Sequence, residues 1–140
     1  MEDISHIFRR YDVRGIYGKD LNVDIMRNIG LAFALHTKQD VIVGRDVRVH
    51  SEALCNAFID GATNGGINVT FIGTVPLGVG MFRAWNDKQY AYITASHLPR
   101  EWNGVKFYHK DGVGFFENEN YKIRNIFFSK MKMEKKGNVV

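Results

Sequence analysis

Apolar positions along this chain alternate between two spacings, and the alternation predicts helices and strands in turn. Apolar residues recur every three or four positions, as in amphipathic helices, over residues 22–36, 51–64, 77–85 and 120–130. Short runs of β-branched and aromatic residues, typical of strands, occupy residues 41–43, 69–72, 90–94 and 105–108. Ser51 is predicted to cap the second helix, and either Asn22 or Asp24 the first.

The order of these elements predicts an α/β fold, a three-layer α/β/α domain with a mixed, mainly parallel four-stranded sheet. Helices between the first three strands imply right-handed crossovers and parallel pairing. The connection over residues 96–103 is too short for a helix, so the fourth strand should return antiparallel. The loops after Val43, Ile72 and Ile93 would then meet at the carboxyl edge of the sheet, where such folds bind ligands.

The chain has 140 residues, a length typical of one domain, and we assign residues 1–130 to that domain. Residues 131–140 are predicted to be a basic tail that begins a linker to a second domain. The net charge of +4 comes from the region after Tyr121, which holds six of the 19 basic residues and one of the 15 acidic residues. The body of the chain is therefore almost neutral, which argues against a nucleic-acid partner.

Neither a membrane span nor secretion is predicted. No apolar run approaches the roughly 20 residues of a membrane helix, and the N-terminal segment has no apolar signal region. The single cysteine, Cys55, cannot form an internal disulfide, which suits a reducing cytoplasm. Its position in an apolar helical pattern predicts a buried side chain rather than a reactive thiol.

Chemistry is concentrated in the segment TASHLP at residues 94–99, followed by NGVKF at 103–107. Ser96 and His97 lie side by side on a loop that Pro99 stiffens, and Lys106 follows ten residues after the serine. A hydroxyl, an imidazole and an ammonium held this close suit phosphoryl transfer. The residues alone also allow a turn-forming serine, a structural histidine and a solvent-facing lysine.

Two upstream segments, FRRYDVRG at residues 8–15 and VGRDVR at 43–48, are each typical of a charged surface loop. Taken together and in order, these two segments and TASHLPREWNGVKF closely resemble the N-terminal domain of the α-D-phosphohexomutases, the phosphoglucomutase/phosphomannomutase family. The resemblance covers residues 7–128. It implies a domain that carries the phosphoserine loop of an enzyme moving a phosphoryl group between C1 and C6 of hexose phosphates.

The resemblance also implies roles for individual residues. Ser96 matches the family's phosphoserine, and His97 the neighbour that can hydrogen-bond in the active site. Lys106 matches the lysine of the NG-[FIV]-K segment, which would act in proton transfer at the sugar hydroxyl. Arg14 matches the arginine of the Y-D-[IV]-R-G segment, whose guanidinium suits a phosphate. Tyr11 is expected to shape the same loop as Arg14 and to contact the substrate.

Other positions near these motifs are expected to support the site. Arg45, Asp46 and Arg48 should form an ion-pair network behind the serine loop, and Asn103–Gly104 should form the turn that presents Lys106. One position departs from the family pattern, because Leu98 stands where the family usually has asparagine. Leucine offers no side-chain hydrogen bond, so this loop is expected either to be held differently or to be tuned to another substrate.

The resemblance implies Mg²⁺, bound to Ser96 through its phosphate, and hexose 1,6-bisphosphate as the intermediate. The family's metal-binding aspartates and its sugar-selecting loop belong to three further domains, and this chain has no D-x-D-x-D run. We therefore expect it to be inactive alone. The sequence leaves open whether the substrate is a glucose, mannose or glucosamine phosphate.

The expected partners are a hexose phosphate and the missing mutase domains, or another chain, bound through an exposed apolar interface. That interface is predicted to comprise Tyr121, Ile126, Phe127, Phe128 and the two C-terminal valines. The alternative is a non-enzymatic relic or binding module that retains the fold. A phosphatase or a Ser–His hydrolase is disfavoured, since no G-x-S-x-G segment is present.

Overall fold

The computed structural model describes the backbone of residues 3–137 and the side chains of residues 3–130. These residues form four helices and five strands, after a short 3₁₀ turn at Ser5–Ile7, and only β4 and β5 follow each other without a helix between them. In chain order the elements are β1 (Val13–Ile16), α1 (Val23–Thr37), β2 (Val41–Arg45), α2 (Ser51–Asn64), β3 (Val69–Thr74), α3 (Leu77–Ala84), β4 (Gln89–Ile93), β5 (Trp102–Tyr108) and α4 (Glu117–Gly137). The predicted three-layer α/β/α class is confirmed.

The strands form one mixed sheet in the order β1-β5-β4-β2-β3. β2 pairs in parallel with β3 and β4, whereas β5 pairs antiparallel with β4 and with β1. The sheet therefore has five strands, and the prediction of four was wrong. The missed strand is β1, where Val13 lies opposite Val105 and Arg14 opposite Gly104.

Each face of the sheet has its own apolar cluster. One cluster includes residues of α1, α2 and α4, in which Phe33 stacks on Phe107 and contacts Phe58. The opposite face carries a smaller cluster around Tyr90 and Tyr92, covered by α3. α3 packs against β2 and β4, and among the described elements no helix packs to a similar extent on the same face of β5 and β1.

The predicted helix starts are partly confirmed. Asn22 caps α1, and its side-chain oxygen accepts a hydrogen bond of 2.8 Å from the amide of Ile25. Ser51 does not cap α2, because His50 occupies the cap position and Ser51 is the first helical residue, wholly buried. α4 begins at Glu117, three residues before the predicted start.

Most apolar residues of α4 up to Lys130 belong to the core or pack against it. Phe127 is fully buried with its ring 5.1 Å from that of Phe8, and Ile126 and Phe128 pack against the same cluster. The prediction that Phe127 forms an exposed partner surface was therefore wrong, and the two C-terminal valines lie outside the described residues. α4 also continues past Lys130, and the assignment of residues 131–140 to a linker stays a prediction.

Candidate active site

A cleft of about 310 Å³ opens beyond the carboxyl end of β4, next to the face of β5 and β1 that carries Lys106 and Arg14. Arg14, Ser96, His97 and Lys106 all line it, so the structure brings these four predicted residues together. Tyr11 lies beside this cleft rather than in it. Its ring is more than half exposed and shares a shallow depression with Arg14 and Lys106.

Ser96 has an unusual backbone conformation. It follows β4 by three residues, is exposed, and has φ = +57°, the left-handed region that costs a non-glycine residue roughly 1–2 kcal/mol. Its amide donates a hydrogen bond of 3.0 Å to Oγ1 of Thr94. This tight turn at the end of a buried strand is what places Ser96 at the wall of the cleft.

Arg14 reaches the cleft from β1 and is held by a carboxylate. Its Nε donates a hydrogen bond to Oδ2 of Asp12, which is almost buried. Among residues 3–130 the structure shows no other hydrogen bond to this guanidinium. Its two terminal nitrogens can therefore offer the paired donors that a phosphate accepts.

Lys106 lies on β5 opposite Tyr92, and its Nζ is 5.6 Å from the centre of the Tyr108 ring. Its approach to Arg14 depends on Gly104, two residues earlier on the same face of the strand. A Cβ at position 104 would lie 1.9 Å from the carbonyl oxygen of Val13. Only glycine allows β1 to pair this closely with β5. Because Arg14 lies opposite Gly104 and Lys106 is two residues further along β5, both cations lie on one face of the sheet.

A partly buried chain of side-chain hydrogen bonds supports the serine loop, and Asp46 is its centre. The hydroxyl groups of Thr94 and Ser51 donate to its two carboxylate oxygens at 2.7 Å and 2.5 Å. Asn103 donates to Ser51 at 2.9 Å, and its own oxygen accepts from the amide of Gly104 at 2.8 Å. Thr94 and Ser51 were not predicted as site residues. The only sequence signal for them is their position, because Thr94 directly follows a strand and Ser51 directly follows a loop.

Arg48 also supports the loop, through the backbone. Its guanidinium donates hydrogen bonds to four carbonyl oxygens, those of Ser96 at 2.7 Å, Leu98 at 2.7 Å, Pro99 at 2.8 Å and Trp102 at 3.1 Å. Its Nε also lies 3.3 Å from Oδ2 of Asp46.

The predicted ion-pair network behind the serine loop is thus confirmed for Asp46 and Arg48. Arg45 takes a smaller part, because its side chain makes one long hydrogen bond of 3.5 Å, to the backbone carbonyl of Asp46. Leu98, which departs from the family pattern, is half-buried; its amide donates to Ala95 and its carbonyl accepts from Arg48. The backbone of this residue holds the loop where a side chain was expected to do so.

The described residues do not form a metal site by themselves. Residues 3–130 contain no group of three or more His, Cys, Asp or Glu side chains placed to hold an ion. Asp46, the carboxylate that supports the loop, already accepts hydrogen bonds from Thr94, Ser51 and the backbone amide of Arg48. Within the described part of the chain, no helix is both long and apolar enough to cross a membrane.

The chain is similar to known proteins over most of its length. Residues 5–134 match the family model described as phosphoglucomutase/phosphomannomutase, alpha/beta/alpha domain I. The phosphoglucosamine mutase of Methanocaldococcus jannaschii is 40% identical over 120 residues, covering 86% of this chain and 27% of that protein. The phosphoglucomutase/phosphomannomutase of Thermococcus kodakarensis is 32% identical over 134 residues, covering 90% of this chain and 29% of that protein.

The fold has a close counterpart among solved structures. A phosphoglucomutase/phosphomannomutase family protein from Burkholderia thailandensis superposes with a TM-score of 0.83 at 30% identity. The superposition covers 94% of this chain and 31% of that protein. The chain therefore spans less than a third of the length of each of these three proteins.

Proposed function

Because this chain belongs to the phosphoglucomutase/phosphomannomutase family, as its α/β/α domain I, we propose that Ser96 carries the phosphoryl group of a hexose or hexosamine phosphate mutase. The observation that supports this most directly is that Ser96, Arg14 and Lys106 line one cleft although they come from three separate segments. A hydroxyl on a tight turn beside two cations is the arrangement that phosphoryl transfer needs.

Each residue has a distinct role in the proposed reaction. When Ser96 is phosphorylated, the bond between its Oγ and phosphorus breaks as a hydroxyl oxygen of the sugar phosphate bonds to that phosphorus. The proton of the sugar hydroxyl replaces the phosphoryl group on Oγ, and Lys106 is the residue we assign to relay it. Arg14 binds phosphate oxygens through its terminal nitrogens, and His97 contributes a hydrogen bond at the mouth of the cleft. The reverse reaction phosphorylates the serine again.

The remaining parts of the reaction are proposed from the family. Transfer between C1 and C6 through hexose 1,6-bisphosphate requires groups that bind the far end of the sugar. Mg²⁺ would contact the Ser96 phosphate, with its other ligands outside the described residues, and would neutralise charge there. We propose that this chain has little activity until the remaining mutase domains, or another chain, complete the cleft. We assign Tyr11, which lines a shallow depression with Arg14 and Lys106, to the border where the substrate would meet those domains.

The proposed compartment is the reducing cytoplasm, since the chain has one cysteine. Cys55 is fully buried, and burial raises the pKa of its thiol to about 12, as expected for a structural cysteine.

The test is to co-express this chain with the part of the M. jannaschii mutase that follows domain I. The complex is then given a hexose 1,6-bisphosphate and Mg²⁺. We expect interconversion of hexosamine or hexose phosphates, and an intact-mass gain of one phosphoryl group on this chain. Ser96→Ala should abolish both, whereas Ser129→Ala, at an exposed serine on α4, should retain both. Equal activity and equal mass gain in Ser96→Ala would refute the proposed function.

A further inference from the structure

The Ser96 loop has no regular secondary structure of its own, so its shape must be imposed from elsewhere. Within it, the amide of Leu98 donates to Ala95 at 3.1 Å and the amide of Trp102 to Pro99 at 2.9 Å. These bonds close two local turns but do not fix the turns relative to the sheet. The left-handed conformation of Ser96 also needs an external constraint to persist.

Arg48 supplies contacts of the required kind. Four carbonyl oxygens between residues 96 and 102 accept hydrogen bonds from one guanidinium, whose side chain is only 14% exposed. These carbonyls converge on one point because the loop curls around the arginine. A planar group with five donors in a fixed geometry can satisfy such a set, which a single-nitrogen ammonium cannot do equally well.

The arginine is itself anchored on the opposite side. Asp46 accepts its backbone amide at 3.1 Å and lies 3.3 Å from its Nε. The same carboxylate accepts the hydroxyl of Thr94, and that hydroxyl in turn accepts the amide of Ser96 at 3.0 Å. The two peptide groups of Ser96 are therefore held separately, the preceding one through Thr94 and the following one through Arg48.

We infer that Arg48 is the positioning residue of the phosphoryl-transfer site, and that it sets the direction of the Ser96 hydroxyl by binding the carbonyls of the loop. The inference rests on the proposed function of Ser96. It also accounts for Leu98, because a loop held by its carbonyls does not need a polar side chain at that position. Arg48 does not line the cleft, so it acts on the reaction through the loop and not through the substrate.

The first test measures amide hydrogen exchange on this chain alone, which does not depend on activity. In Arg48→Ala, the amides of Leu98 and Trp102 should exchange at least about tenfold faster than in the unaltered chain. The amides of the β4 interior should keep their protection, since the strand does not rely on Arg48. Arg27→Ala is the matched control, because Arg27 is paired with two carboxylates on α1 and α2, away from the cleft.

The second test uses the co-expressed complex and measures kcat and KM for the sugar phosphate. Without Arg48 the loop should no longer hold the Ser96 hydroxyl in the reactive direction, so kcat should fall by about 100-fold in Arg48→Ala. KM should stay within about twofold, because the substrate contacts are intact. Arg48→Lys should recover part of that loss, to roughly tenfold below the unaltered chain. Each rate is divided by the fraction of molecules that are folded, which is taken from the amide protection of β4. A fall in activity caused only by unfolding is then not mistaken for a change in the loop.

The outcomes separate the two proposals. Loss of protection in the loop together with a fall in kcat supports the positioning role. Unchanged loop protection in Arg48→Ala overturns it, whatever the activity of the complex. A complex that is inactive even with the unaltered chain counts against the proposed function, and the exchange test then still decides whether Arg48 holds the loop. A fall in kcat matched by Arg27→Ala would also overturn the positioning role.

Discussion

The side-chain nitrogen of Asn103 donates a hydrogen bond of 2.9 Å to the hydroxyl of Ser51, and both residues are buried. This contact joins the start of β5 to the first turn of α2, 52 positions apart in the chain. The hydroxyl of Ser51 in turn donates a hydrogen bond to one carboxylate oxygen of Asp46, and the other oxygen accepts a hydrogen bond from the hydroxyl of Thr94. The strand that carries Lys106 is therefore linked through polar contacts to the loop that carries Ser96.

Removing the Ser51 hydroxyl should destabilise the fold. In Ser51→Ala, the buried nitrogen of Asn103 loses its acceptor and Asp46 loses a donor, so we expect the free energy of unfolding to fall by about 1–3 kcal/mol. Urea denaturation of the purified chain measures this change. Ser129→Ala, on the exposed face of α4, should stay within about 0.5 kcal/mol of the unaltered chain. Equal stability of the two variants would show that the buried contact contributes nothing.

Two neighbouring tyrosines should respond oppositely to the loss of a hydroxyl group. The hydroxyl of Tyr90 is buried and, among the described residues, has no hydrogen-bond partner, whereas that of Tyr92 donates to the carbonyl of Val75 at 2.7 Å. Tyr90→Phe should therefore leave the free energy of unfolding unchanged or raise it by up to about 1 kcal/mol. Tyr92→Phe should lower it by about 1 kcal/mol. Chemical denaturation of both variants tests this, and a larger loss in Tyr90→Phe would contradict it.

Most of the fold was predictable because its main signals are local. Helical periodicity and short β-branched runs located α1, α2 and the three parallel strands. β1 was missed because the sequence VRGI contains an arginine and a glycine, and its strand conformation comes from pairing with β5, about 90 residues later. That pairing is a long-range contact that no local pattern encodes.

The site residues likewise comprise some that the sequence could identify and some that it could not. Ser96, Lys106 and Arg14 could be proposed because the family resemblance singles out their segments. The roles of Thr94 and Ser51 could not, because a hydroxyl after a strand or at a helix start usually serves a turn or a cap. What gives them a different role here is Asp46, which lies within hydrogen-bond distance of both only in the folded chain.

The backbone of Ser96 leads to a third prediction, about which side chains its position tolerates. At φ = +57° a β-branched side chain clashes most, so Ser96→Val should be less stable than Ser96→Ala by about 1–2 kcal/mol. Thermal or urea unfolding of the two variants measures the difference. The control is the same pair of substitutions at Thr70, an exposed position of the edge strand β3. There the Thr70→Val variant should be more stable than the Thr70→Ala variant. The same order at both positions would argue against a left-handed Ser96.

Acid should destabilise the fold through His36, at the end of α1. Burial lowers the pKa of its imidazole below the ordinary value of 6.5; Glu119 opposes this shift, and Lys122 and His109 add to it. The unfolded chain therefore binds a proton at a higher pH than the folded chain. Stability due to neutral His36 is complete above pH 6.5 and is lost as the pH falls from there through the lower pKa of the folded state.

His36→Gln removes this proton uptake. Between pH 7.5 and pH 5.5, the free energy of unfolding should therefore fall less in this variant than in the unaltered chain. Urea denaturation at both pH values measures how far the free energy of unfolding falls in each protein. Because the imidazole is neutral in both the folded and the unfolded state at pH 7.5, a difference between the two proteins at that pH reports packing alone. Parallel decreases in the two proteins would show that another group governs acid sensitivity, since glutamine cannot titrate.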